Sequence, residues 1–221
     1  MKKNYLKYTL LLCLIFKNSL YSQDTASCMQ DLSIFAEYVK VKNYASALEP
    51  WMRVRENCPD INAAIYTYGE RILKNNIKNG TPEVIEASKK DLIKLYDEWL
   101  QYFPKNKNKS IVGDVTGRKA QALLDFKMAE LNEVYKIFDE AFTKDATSFT
   151  NPKFLYNYFK TLYDRYKKGD DQVSMEMLFN KYEEVSEKFE VETVSLAKKL
   201  DIILKKEEEG KPLTSREQRR K

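Results

Sequence analysis

Few side chains in this 221-residue chain are equipped for chemistry, and the most informative are two cysteines. Cys28 and Cys58 bracket a pair of helical segments, one at the start of the first and one at the end of the second. In an antiparallel hairpin those two places lie side by side, so a disulfide between them is sterically reasonable. The alternative is two buried free thiols. Redox chemistry is not expected, because the spacing is not C-x-x-C.

Acid–base chemistry has little to work with. The chain has no histidine, which removes the commonest general acid or base, the standard nucleophilic triads and most zinc sites. Gly-rich phosphate loops are missing as well. Glu183 with Glu184, or Glu37 with Glu70, are residue types that a paired-carboxylate site would use. At helical spacing among lysines they read as a solvated charged face. No catalytic residue, metal ligand or cofactor is therefore assigned, and a non-enzymatic protein is expected.

Residues 1–23 have the layout of a secretory signal. Lys2 and Lys3 give a basic start, an apolar run follows over residues 8–16, and Lys17 ends it. The run is too short to span a bilayer, which needs about 20 apolar residues. Cleavage is expected near Ser22 or Gln23. Cys13 lies within the run, but the residue before it is Leu12 rather than a small one, so lipid anchoring is not expected. The mature chain should then reach an oxidising space, periplasmic or extracellular.

The net charge of +5 owes four lysines to that N-terminal segment, and the remainder holds 34 basic against 33 acidic residues. This is no basic footprint for nucleic acid. After residue 205 apolar residues become scarce, and a charged, flexible tail is predicted over 205–221.

Between signal and tail the periodicity is helical. Helices are predicted over 27–41, 44–56, 62–77, and from Pro82, capped by Thr81, to 103. A polar loop at 105–110 leads to helical structure over 117–144, either one long helix or a pair with a tight break near Met128. An aromatic helix runs from Pro152 to 168, and two more span 172–189 and 192–209. No strand is predicted. Short loops suit antiparallel neighbours, so the expected fold is all-α: a right-handed array of about eight helices in antiparallel hairpins. The array occupies a single domain over 24–204, with the charged helix from Glu192 as its terminal cap.

Residues 28–59 resemble one tetratricopeptide repeat. Tyr38 in the first helix, Tyr44 at the turn, Ala47, Trp51 and Val54 in the second, and Pro59 at the end occupy signature positions. Phe35 stands where the family has glycine, which should widen the helix crossing; Tyr38 and Trp51 should fill the space between helices. A second unit places Ile65, Tyr68-Gly69 and Ile72 likewise, then Leu92, Tyr96, Trp99 and Pro104 after an insertion of about ten residues. The signal and the Ser-Gln-Asp junction look similar to those of Bacteroidota envelope proteins, which implies the periplasm.

The resemblance implies that first-helix residues line a concave groove for a protein or peptide. By position these are Leu32, Ala36, Val39 and Lys40, then Tyr66, Glu70, Leu73 and Lys74. In the aromatic helix, Leu155, Phe159, Leu162 and Tyr166 form a core face, which leaves Tyr156 and Tyr163 as candidate interface anchors. The expected function is a periplasmic scaffold or adaptor holding an envelope protein. The alternative is a small-ligand or glycan-binding protein, with exposed tyrosines stacking on a sugar.

Overall fold

Helix ends in this protein coincide with residues that interrupt or satisfy the backbone ladder locally. A computed structural model describes residues 25–218. The predicted signal and Cys13 lie outside the described residues, as do 219–221. Residues 25–40 form α1, which stops where Lys42 turns left-handed (φ 60°). The Asn43 side chain caps α2 (Tyr44–Asn57), accepting from the Ser46 N–H at 3.3 Å. After α3 (Ala64–Asn79), the Thr81 hydroxyl accepts from the Val84 N–H, and Pro82 opens α4 (Pro82–Tyr102).

The described residues are all-α apart from one short hairpin, built from antiparallel helix neighbours. Where a single domain is predicted over 24–204, they divide into two compact units at Pro104 and Lys105. In the first unit α2 packs on α3 and α3 on α4. Its core holds Phe35, Trp51, Ile65, Tyr66, Ile72, Leu92, Leu95 and Tyr96, all but excluded from solvent. The Trp51 indole N–H donates to the Ile65 carbonyl at 2.7 Å. Gly69 lies under that indole: a Cβ there would sit 2.7 Å from Trp51. Cys28 and Cys58 are joined by a disulfide, their Cα atoms 6.3 Å apart.

Tyr38 does not fill the space between helices. It is 38% exposed, while Phe35 is fully buried and meets Tyr68 edge-on. The inward stripe of α1 is Cys28, Leu32, Phe35 and Val39, at spacings of four, three and four. Tyr38 precedes Val39 by one residue, about 100° around the helix, and falls outside that stripe.

The second unit opens with a two-stranded hairpin, β1 (Lys105–Asn106) and β2 (Lys109–Ser110), where a loop without strand is predicted. Lys107 and Asn108 both take positive φ, as a two-residue hairpin turn requires. Next come α5 (Val112–Phe126), ended by left-handed Lys127, and α6 (Leu131–Asp145). Asn151 caps α7 (Pro152–Lys167), and Ser174 caps α8 (Met175–Glu208). Helices α5 and α6, α6 and α7, and α7 and α8 are packing neighbours. Aromatic rings dominate this core: Phe138 and Phe149 lie 6.2 Å apart between centroids, and each is 6.0–6.5 Å from Phe154 and Tyr158.

Two predictions near the C-terminus are corrected. The expected helices over 172–189 and 192–209 are one 34-residue helix, because no Gly or Pro interrupts it from Met175 to Glu208. The expected tail begins inside α8, then turns at Gly210 (φ 65°) into a short α9 (Ser215–Gln218). Thr214 and Glu217 cap that turn reciprocally, and Glu217 pairs with Lys206 at 2.6 Å.

Candidate functional site

The eight groove positions do not form an open groove. Leu32, Val39, Tyr66, Glu70 and Leu73 are buried in the first unit's core. Ala36 is half-buried, and Lys40 and Lys74 are exposed. Tyr66 stacks near Trp99 and Tyr102, and its hydroxyl donates to the Pro59 carbonyl at 2.9 Å. Burial pushes its phenol pKa up. Glu70 accepts from the Tyr96 hydroxyl at 2.8 Å and from Lys74 at 2.7 Å. The cause is the position of α3, which packs against α2 on one side and α4 on the other.

Glu37, Glu70 and Glu184 of the carboxylate pairs have structural partners. Glu37 is bonded to Lys40, and Glu184 to Lys181. Lys181 also reaches Asp139 and lies 4.9 Å from the Tyr158 ring centre, while Tyr158 donates to Asp139. Burial, then the bond to Asp139, pushes the Tyr158 pKa far up, so its phenol stays a neutral donor. Burial works against the Lys181 ammonium, but Glu184 and its other neighbours leave its pKa raised. These groups tie α6, α7 and α8 together.

Tyr156 and Tyr163 are exposed, as the aromatic pattern predicts. The core face of α7 differs: Phe154, Leu155, Tyr158 and Leu162 are buried, whereas Phe159 and Tyr166 are only half-buried. Phe159 stacks on Tyr163 and meets Tyr182 edge-on at 5.7 Å. Phe159 and Tyr182, with Tyr156, Val185, Ser186, Phe189, Glu190 and Thr193, line a groove of about 550 Å³ along α7 and α8.

A second stretch of exposed apolar side chains was not among the sequence candidates. Beyond the groove, α8 carries Val191, Val194, Leu196, Leu200, Ile202 and Leu204 in solvent. At about 100° per residue, Tyr182, Phe189, Leu196 and Leu200 share one face within some 40°. Val191, Val194 and Ile202 lie on the far side. A helix apolar on two sides is normally enclosed; of the distal half, only Ile203 is buried. The signal was legible in residues 189–204, where a charged terminal cap was expected: apolar residues recur at two helical phases.

No family model matches the chain, and no curated protein or solved structure is detectably similar to it. Among the described residues no helix is long and apolar enough to cross a membrane, and no cluster of acids and cysteines is placed to hold a metal.

Proposed function

We propose that this protein is an exported, tetratricopeptide-like scaffold that binds a protein partner through its second unit. The observation carrying this is the distal half of α8, apolar on two sides and exposed. Contiguous exposed apolar surface on a soluble protein marks an interaction site more often than it marks nothing. An amphipathic helix or extended peptide of an envelope protein fits such a surface, with i, i+3, i+4 anchors set between Val191, Val194 and Ile202. The disulfide is compatible with an oxidising compartment, and the signal-like N-terminus supports export to the periplasm or beyond.

A sugar is the poorer occupant. The α7–α8 groove offers tyrosines for stacking, but Ser186, Thr193 and Glu190 are the few polar groups that line it. Carbohydrate hydroxyls would lose water without regaining hydrogen bonds.

The test is in-cell photocrosslinking from position 194 or 202, followed by mass spectrometry. A recurrent envelope protein, lost in Val194→Glu with Ile202→Glu while helicity stays unchanged, is the expected result. Recovery of uncrosslinked protein alone, at native expression, would count against the scaffold.

A further inference from the structure

The groove between α7 and α8 brings ring faces together with a carboxylate. Tyr156 and Phe159 of α7 and Tyr182 and Phe189 of α8 line it, and among the described residues Glu190 is the one charged group in that lining. Phe159 and Tyr182 meet at 66° with centroids 5.7 Å apart, which turns ring surface in two directions within the groove. Glu190 follows Phe189 and Glu183 follows Tyr182, so both carboxylates stand on one flank of α8, about 100° from the aromatic face. No Lys or Arg stands three or four residues from either, and no ion pair among the described residues engages them. Just outside the groove, Lys167 lies over the Tyr163 ring, 5.7 Å from its centre, and Tyr163 stacks on Phe159. The aromatic stripe of α7 thus already accepts an ammonium from this same chain.

We infer that the groove binds a small quaternary ammonium compound free in solution. Aromatic faces attract a cation through the ring quadrupole, and the carboxylate adds to that attraction. Hydrogen-bond donors decide between cations. A primary ammonium or a guanidinium would exchange water for only Ser186, Thr193 and Glu190, which leaves N–H groups unsatisfied. A quaternary ammonium has no N–H to satisfy. A neutral apolar molecule would instead cover the Glu190 carboxylate without compensating its charge. A phosphate on the ligand would be repelled by Glu183 and Glu190, so a choline-type alcohol fits better than a phosphocholine headgroup. The groove's size also suits a small molecule, for which sites run to roughly 300–1,000 Å³. The site is separate from the far side of α8, so it stands whether or not Val194 and Ile202 capture a protein.

The experiment is an NMR titration of the purified full chain, read at the aromatic ring protons. The probes are choline, phosphocholine, and the neutral alcohol in which carbon replaces choline's quaternary nitrogen. Choline is expected to give a saturable shift, and the neutral alcohol should bind about tenfold more weakly. Phosphocholine should also bind more weakly than choline. Glu190→Gln should weaken choline binding about threefold. Tyr182→Leu with Phe189→Leu keeps the groove apolar but removes both rings of α8, and should weaken it about tenfold. The absence of a saturable choline shift overturns the proposal, as does a neutral alcohol that binds equally well. Choline binding indifferent to loss of both rings overturns it too, and phosphocholine binding as tightly as choline overturns the free cation as ligand. Circular dichroism of each variant separates lost binding from lost folding, and the comparison of probes is made on the wild type.

Discussion

At Gly69 the space for a side chain is already occupied. The Trp51 indole is held by its bond to the Ile65 carbonyl and cannot retreat freely from a Cβ placed 2.7 Å away. Gly69→Ala should therefore cost about 2 kcal/mol of stability in urea unfolding; an unchanged midpoint would show that the indole has room to move. Asp145 is the corresponding anchor of the second unit. Its carboxylate accepts from the backbone N–H groups of Gly113 and Ser148 and from the Ser148 hydroxyl. Burial alone would raise its pKa, but these bonds and one from Ser110 outweigh it and hold the carboxyl below its ordinary 3.8. A depressed folded pKa stabilises the fold above the ordinary value, and that stability disappears as pH falls through the lowered one. Between pH 7 and pH 3 the wild type should thus lose more stability than Asp145→Asn does, measured as the shift in denaturation midpoint. Equal losses would refute the role. At this scale the sequence was readable where one residue type admits one environment, as at Gly69. It misled at Tyr38, because a shared repeat position does not say which neighbour faces inward.

Helix boundaries were legible wherever the stop signal is chemically local. Thr81-Pro82, Asn151-Pro152 and Gly169 each act within one turn. The predicted start of α5 at Gly117 is five residues late, and Gly113 precedes it in the helix. Both lie inside the helix: a Cβ at Gly117 would meet Phe154 and Phe149 at under 3 Å, so these glycines permit close packing. The predicted division of α8 failed because no breaker stands between Met175 and Glu208. The groove positions on α3 were misassigned because a helix with two packing neighbours has little surface left to offer, and only the tertiary arrangement shows that. The N-terminal hairpin of α1 and α2 carries its own test. Its disulfide closes a loop of about 31 residues, worth roughly 3–4 kcal/mol in the chain-entropy account. Cys28→Ala with Cys58→Ala should lower stability by about that amount, with amide exchange in α1 and α2 accelerated most. Unaltered exchange there would mean the helices are held by Phe35, Trp51 and Val54 alone.

Two compact units in one chain divide their labour by composition as well as by packing. The first is a disulfide-closed core that buries Phe35, Trp51, Tyr66, Tyr96 and Trp99. The second leaves its longest helix exposed, and the scaffold proposal rests there. The distribution of indoles has a practical consequence. Both tryptophans, Trp51 and Trp99, belong to the first unit and are buried. Intrinsic emission excited selectively at the indole band is thus a natural label for residues up to Pro104, while the second unit is dark at that wavelength. A urea titration followed by indole emission should report the first unit alone and shift when reductant is added. Far-ultraviolet dichroism, followed on the same samples, should sum the helices of both. The difference between the two curves isolates the melting of the unit that carries α8, without a single dye or mutation.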